Sequence, residues 1–230
     1  CIRHPMTTTQ PCTINSFLID LDGTLVDTAP DLVASLNAIL VMENRSKTTL
    51  KRARHWAAGG SARLVKEGFG ISTSDLRFPR LRQALLHHYT EHLCIETRLF
   101  PGMNELLQDV ESKGWPWGIV TNKPAFLTHR LLHLLGLTER AATVICGDTL
   151  KHSKPHPAPV LKACEDIGSL ASTTLFAGDD LRDIQAGRTA GSQTAAVTWG
   201  YAAPGDNPHT WQADHVIESV DGLRQVLSLD

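Results

Sequence analysis

Short apolar runs, each stopping at a polar residue, punctuate the chain. Ser16-Phe17-Leu18-Ile19 runs into Asp20, and Trp117-Gly118-Ile119-Val120 into Thr121. Thr143-Val144-Ile145-Cys146 ends at Gly147-Asp148, and Thr174-Leu175-Phe176-Ala177 at Gly178-Asp179. Residues 194–199 and His215-Val216-Ile217 are two further runs. Their shortness and their β-branched residues predict buried strands. Helical patterns alternate with them over 103–113, 125–135, 158–167 and 180–190, followed by the stop signals Gly114, Gly136, Gly168 and Gly191. Strand alternating with helix predicts an α/β fold, a Rossmann-like parallel sheet covered on both faces. Such sheets bind ligands beyond the carboxyl ends of their strands, which is where Asp20, Thr121 and Asp179 fall.

The alternation breaks between Asp27 and Phe100. That span reads as helix throughout, starting at Thr28-Ala29-Pro30-Asp31 before Leu32, Val33, Leu36, Ile39 and Leu40. It predicts an inserted helical cap over residues 27–100. The catalytic core then comprises residues 16–26 and 101–230, with residues 1–15 a loose N-terminal leader. The cap holds eleven Lys and Arg against seven Asp and Glu, a formal +4, and the rest of the chain carries −6. A basic lid over an acidic core suits an anionic substrate with a cation beneath it, although basic residues on solvated helix faces would give the same count.

Composition narrows the function classes without naming a chemistry. Of 230 residues, 42% are hydrophobic and 20% charged, and 22 Lys and Arg nearly balance 24 Asp and Glu. That balance argues against a nucleic-acid binder and an acidic disordered tail, and no apolar stretch has the length of a membrane span. The five cysteines are widely spaced with no C-x-x-C, so they read as free thiols in a reducing compartment, the cytoplasm. Residues 1–15 are polar with two prolines and lack the apolar core of a secretory signal, and Met6 is a candidate natural start.

The sharpest local signal is Asp20-Leu21-Asp22-Gly23-Thr24. Two carboxylates two apart at a strand end can face one site if the chain turns after the first, and Gly23 permits that turn. One can attack while the other handles protons; the alternative is a plain Asp-Gly hairpin turn. Gly178-Asp179-Asp180-Leu181-Arg182-Asp183 brings three more carboxylates, hard oxygen ligands that suit Mg²⁺, or else an acidic helix start. Lys154-Pro155-His156-Pro157 offers a lysine in a rigid loop as a point charge for phosphate. Thr121-Asn122-Lys123-Pro124 offers a hydroxyl and backbone N–H groups at a helix start, a phosphate cradle or an ordinary cap.

In this order, each after an apolar run, the four motifs resemble the haloacid dehalogenase-like hydrolase superfamily, from Phe17 to Leu227. Leu25-Val26-Asp27-Thr28-Ala29-Pro30-Asp31-Leu32 and Gly147-Asp148-Thr149-Leu150, with Lys154-Pro155-His156-Pro157, resemble its phosphoglycolate phosphatase-like branch. The resemblance implies a Mg²⁺-dependent phosphatase for a small phosphomonoester, of the phosphoglycolate or N-acetylmuramic acid 6-phosphate type. It implies Asp20 as the nucleophile that forms an aspartyl-phosphate and Asp22 as general acid/base. Thr121 and Asn122 would hold phosphoryl oxygens, and Lys154 would neutralise Asp20 and the transferring group. Asp20, the backbone carbonyl of Asp22, and Asp179 would hold Mg²⁺, supported by Asp183. Asp180 departs from the pattern, standing where Ser or Thr is common, and Lys151-His152-Ser153 is more basic than expected.

Within the cap, Gly59-Gly60-Ser61 with Arg63 reads as a loop that contacts the substrate or as a plain helix-helix turn, and on the first reading Gly60, Ser61 and Arg63 are candidate specificity residues. The pairs His88/His92 and His129/His133 sit four apart but lack the Glu of a zinc H-E-x-x-H motif, and read as surface histidines. The expected partner is a small phosphorylated metabolite, with neither nucleic acid nor membrane, bound by a monomer or homodimer. A sugar-phosphate mutase on the same core is the rival enzyme. A non-catalytic binding protein on this fold is the rival outside catalysis.

Overall fold

The computed structural model describes residues 13–229, so most of the expected leader, with Cys1, Met6 and Cys12, lies outside the described residues. The chain runs β1 (Ser16–Ile19), β2 (Val26–Asp27), α1 (Ala29–Met42), α2 (Leu50–Ala53), α3 (Gly60–Phe69), α4 (Phe78–Glu91), β3 (Arg98–Leu99) and α5 (Met103–Ser112). It continues through β4 (Trp117–Val120), α6 (Ala125–Leu134), β5 (Thr143–Ile145), α7 (Ala158–Asp166), β6 (Thr174–Gly178), α8 (Leu181–Ala190), β7 (Gln193–Val197), β8 (His215–Ile217) and α9 (Val220–Val226). The strands and core helices expected from the apolar runs are present, within two residues at each boundary.

Six strands form one parallel sheet in the order β5-β4-β1-β6-β7-β8. Central strand β1 is wholly buried. Its alternation splits the core: Phe17 and Ile19 join the large cluster with Leu107, Leu131 and Leu223, while Leu18 faces Val160, Ala163 and Ala186 on the other side. Both faces of a covered parallel sheet must be apolar, which is why these runs lack polar alternation. Chain order reverses at β1, whose neighbours β4 and β6 lie on opposite sides, and a crevice opens at such a switch point.

The inserted span departs from the all-helical expectation at its two ends. Val26–Asp27 pairs antiparallel with Arg98–Leu99, a two-stranded stem where the chain leaves the core and returns. Between them α1 packs against α3 and α4. Gly59-Gly60-Ser61 is not a free loop either: Gly59 ends a short 3₁₀ helix over Arg54–Gly59, and Gly60 and Ser61 open α3. The large apolar cluster runs on from the sheet through Leu36, Leu64 and Leu85 of the cap.

A polar network ties the stem to the core. Tyr201 Oη accepts from the N–H groups of Thr28 (2.7 Å) and Ala29 (2.9 Å) and donates to Asp27 Oδ1 at 2.9 Å. Arg54, from the cap, pairs with the other oxygen of Asp27 at 2.9 Å and lies over the Tyr201 ring.

Candidate active site

Three adjacent strands, β4, β1 and β6, deliver Thr121, Asp20 and Asp179 to one crevice. Asp20 continues the ladder, its N–H donating to Ala177 O at 2.9 Å, and the chain then turns, closed by Gly23 N–H to Val26 O at 2.9 Å. Gly23 has φ +90°, and a Cβ there would stand 2.4 Å from Asp179 Oδ2. The glycine therefore serves both the turn and the close approach of the two acidic loops.

Lys154, from the loop after β5, is the cation at the centre. Its Nζ donates to Asp20 Oδ1 and Val120 O, both at 2.7 Å, and pairs with Asp183 Oδ1 at 2.7 Å. Asn122 holds that loop: its side-chain amide accepts from Lys154 N–H (3.0 Å) and donates to Lys154 O (2.9 Å). Both ends of the Asn122 side-chain amide are thus spent on the Lys154 backbone, so any hold of Asn122 on a phosphoryl oxygen falls to its backbone N–H. Thr121 Oγ1 accepts from Lys123 N–H at 3.1 Å, which leaves its own proton available to donate.

Asp179 Oδ1 accepts from Thr24 Oγ1 (2.9 Å) and Oδ2 from Tyr201 N–H (2.7 Å). Asp183 Oδ2 accepts from Asp180 N–H at 3.1 Å, while the Asp180 side chain caps α8 by accepting from Arg182 N–H at 2.9 Å. An aspartate does there what Ser or Thr would do at an N-cap, which accounts for the departure at Asp180.

Asp20, Asp179 and Asp183 each offer an oxygen, all within 4.8 Å of one another and all buried. Such crowding raises carboxyl pKa values. Burial pushes Asp20 up to about 7 against the pull of Lys154, and Asp183 and Asp22 add to the rise. Asp179 is pushed well above the usual range by burial and then by Asp20 and Asp183, and Asp183 is raised by burial. Burial alone would lower Lys154, but Asp183 and Asp20 hold it above its usual range. One ammonium among three buried carboxylates leaves negative charge uncompensated. The donor set is all oxygen, so the residues present fit a hard divalent cation such as Mg²⁺.

Asp22 sits beside this cluster with its side chain 20% exposed. It accepts from Lys123 Nζ at 3.0 and 3.3 Å and from Thr28 Oγ1 at 2.5 Å. Lys123 also donates to the hydroxyl of Tyr89, on α4 of the cap, at 3.2 Å. The cavity above the carboxylates, about 250 Å³, is lined by Asp20, Asp22, Thr121, Lys154 and Asp179 from the core and by Gly60, Ser61, Arg82 and Tyr89 from the cap. Arg63, expected to contact the leaving group, is not among these lining residues: it lies farther along α3, half-buried, with its side chain beside Gly59.

The haloacid dehalogenase-like hydrolase family model matches residues 17–197. The chain belongs to that family. An N-acetylmuramic acid 6-phosphate phosphatase of Pseudomonas putida is 41% identical over 214 residues, 93% of this chain and 96% of the relative. A phosphoglycolate phosphatase of Xylella fastidiosa is 42% identical over 201 residues, 87% of each chain. A crystal structure from Haemophilus somnus, described as a predicted phosphoglycolate phosphatase, superposes with a TM-score of 0.80 at 27% identity, covering 93% of this chain and 97% of that one. Within the hydrolase family the chain falls among the phosphatases.

Four residues of this hydrolase's site escaped sequence reasoning. Lys123 stood in a quoted motif, but nothing local marks a lysine as the partner of a carboxylate about a hundred residues away. Tyr89 and Arg82 lie on an amphipathic cap helix where only the fold shows which face meets the core. Arg182 joins core to cap: it chelates Asp180 through Nε (2.7 Å) and Nη2 (2.8 Å), and Nη2 also donates to Ala58 O at 2.8 Å. Of the five cysteines, Cys94, Cys146 and Cys164 are described; all three are free thiols, raised by burial. The rings of His88 and His92 stack on each other at 4.0 Å. No described helix is long and apolar enough to cross a membrane.

Proposed function

We propose that this hydrolase is a Mg²⁺-dependent phosphomonoesterase of small metabolites, working through an aspartyl-phosphate on Asp20. The observation that carries the reading is the buried contact of Lys154 Nζ with Asp20 Oδ1 at 2.7 Å, inside a cluster of three carboxylates able to hold a cation. Phosphoryl transfer asks mainly for positioning and for neutralisation of spread negative charge. Asp20 attacks phosphorus through a carboxylate oxygen, the P–O bond to the alcohol breaks, and the phosphoryl group passes to Asp20. Lys154 stays against Asp20 and offsets charge on the group in flight, and the Thr121 hydroxyl and nearby backbone N–H groups orient its oxygens. Asp22 delivers a proton to the departing alkoxide and then takes one from the water that cleaves the acyl phosphate. Lys123 and Thr28 hold Asp22 ready for both steps.

Asp20, Asp179 and the carbonyl of Asp22 would hold Mg²⁺, with Asp183 steadying Lys154 behind them. When bound, the ion supplies positive charge that keeps Asp20 ionised and screens the phosphoryl oxygens. Named relatives that act on phosphoglycolate or N-acetylmuramic acid 6-phosphate support these two as first substrates. Three free, described thiols agree with a reducing, cytoplasmic setting. The site is complete within one chain, so monomer and homodimer serve equally. Phosphate release from these substrates should need Mg²⁺, vanish in EDTA and be almost abolished by Asp20→Asn. Full activity after exhaustive chelation, or in Asp20→Asn, would overturn the reading.

A further inference from the structure

The cations around the cavity are not equivalent. Lys154 is committed to Asp20, Asp183 and Val120 O, and Lys123 to Asp22 and Tyr89. Arg182 is committed to Asp180 and to the Ala58 carbonyl. Arg82, on α4 of the cap, lines the same cavity without a carboxylate: it forms no ion pair with any described residue. Its Nε donates to Ser61 Oγ at 3.1 Å, a contact that favours one orientation of the guanidinium. Arg77 and Arg80, at the start of the same helix, are instead paired with Asp75 and Glu43.

A guanidinium presents paired N–H groups in a geometry that matches a carboxylate. Arg82 belongs to the cap wall, whereas the phosphoryl-binding groups rise from the core floor. What meets Arg82 is therefore the leaving group. Leu32, Ala57, Leu86 and Leu127 give the cavity apolar walls beside it, so a carbon skeleton can lie between the two charged ends.

We propose that Arg82, oriented by Ser61, is the specificity-determining residue for phosphomonoesters whose alcohol carries a carboxylate. This rests on the phosphatase reading above. The role expected of Arg63 passes to a different helix of the cap.

The test uses matched substrates. N-acetylmuramic acid 6-phosphate and N-acetylglucosamine 6-phosphate differ by the lactyl ether that bears the carboxylate. Phosphoglycolate and ethyl phosphate differ by carboxylate against methyl. The readout is the ratio of kcat/KM, acid partner over neutral partner, within each pair. The wild-type protein should favour the acid in at least one pair. In that pair Arg82→Ala should cut the ratio by about 10–150-fold, the worth of one charge-assisted hydrogen bond, mostly through KM. Arg82→Lys should recover part of it, and Arg63→Ala should leave it at the wild-type value. Melting curves establish that each variant is folded, with Arg82→Gln as the replacement should the alanine variant melt early. A wild-type ratio near one in both pairs, or a preference that survives in Arg82→Ala and Arg82→Gln, would overturn the assignment while leaving the phosphatase reading intact. Failure of the wild-type protein to release phosphate from all four substrates and from p-nitrophenyl phosphate would instead overturn that reading, and this one with it.

Discussion

Replacing Lys154 by methionine keeps the length and apolar stem of the side chain and removes only its charge. The ammonium lost has three partners at 2.7 Å, and its side chain is 3% exposed, so water cannot replace it. Breaking one member of a buried ion pair typically costs about 3–5 kcal/mol, a large part of the roughly 5–15 kcal/mol that holds a domain folded. Asp20 will respond by keeping its proton. Its carboxyl already stands at about 7 with Lys154 pulling it down, and without that pull it moves higher. A neutral carboxyl is no nucleophile, so turnover should fall by at least about 10²–10³-fold, the usual loss for a group that stabilises developing charge. The energetic part is measurable without activity. Urea unfolding of the wild-type protein, Lys154→Met, Asp20→Asn and the double variant, all in EDTA, closes a double-mutant cycle. At pH 8, where Asp20 is mostly ionised, the coupling should be about 1–3 kcal/mol, and it should shrink at pH 5.5, where the carboxyl is protonated. Additive effects at both pH values would refute the claim that Lys154 holds Asp20 as an anion.

The same carboxyl gives the metal-free protein a pH dependence. A folded-state value of about 7 against 3.8 means that the stability contributed by Asp20 is full below about pH 4 and is lost as pH rises through about 7. Protons and Mg²⁺ compete for Asp20, so the rise in melting temperature on adding Mg²⁺ should be larger at pH 8 than at pH 5.5; an equal rise at both would count against Asp20 as a ligand. Ca²⁺ in place of Mg²⁺ should inhibit, since it accepts more ligands and can draw both Asp20 oxygens away from in-line attack; unimpaired turnover in Ca²⁺ would contradict this. Gly23→Ala should cost about 1–2 kcal/mol for its φ of +90° and displace Asp179, raising the Mg²⁺ concentration needed for half-maximal activity by about tenfold or more. A Gly23→Ala protein with a wild-type Mg²⁺ titration would separate that turn from the metal-binding residues.

Much of this fold is legible because its strands are buried on both faces. An apolar run such as Phe17-Leu18-Ile19 carries no competing pattern, and the glycines that stop the helices sit where the chain turns. The positions of Asp20, Thr121 and Asp179 follow from the rule that a parallel sheet gathers its strand ends on one edge. The two-stranded stem at Val26–Asp27 and Arg98–Leu99 was hidden because two-residue strands leave no periodicity to read. Which cap arginine lines the cavity was hidden for another reason. Arg63 and Arg82 both lie on amphipathic helices, and only the packing of α3 and α4 on α1 turns Arg82 toward the cavity and leaves Arg63 outside it. Asn122 shows the same limit at the scale of one side chain: its place at the strand end was evident, but the hold of its side-chain amide on the Lys154 backbone was not.

The central claim is that Asp20 carries the phosphoryl group and Asp22 handles protons around it. Asp22→Asn with p-nitrophenyl phosphate isolates the two steps, because p-nitrophenolate leaves without needing a proton whereas the attacking water still needs a base. The account predicts a burst of one p-nitrophenolate per active site followed by slow turnover, with phosphate mapped by mass spectrometry to Asp20 in the acid-quenched protein. Slow release from the first turnover with no covalent phosphate, or phosphate on any other residue, would contradict it.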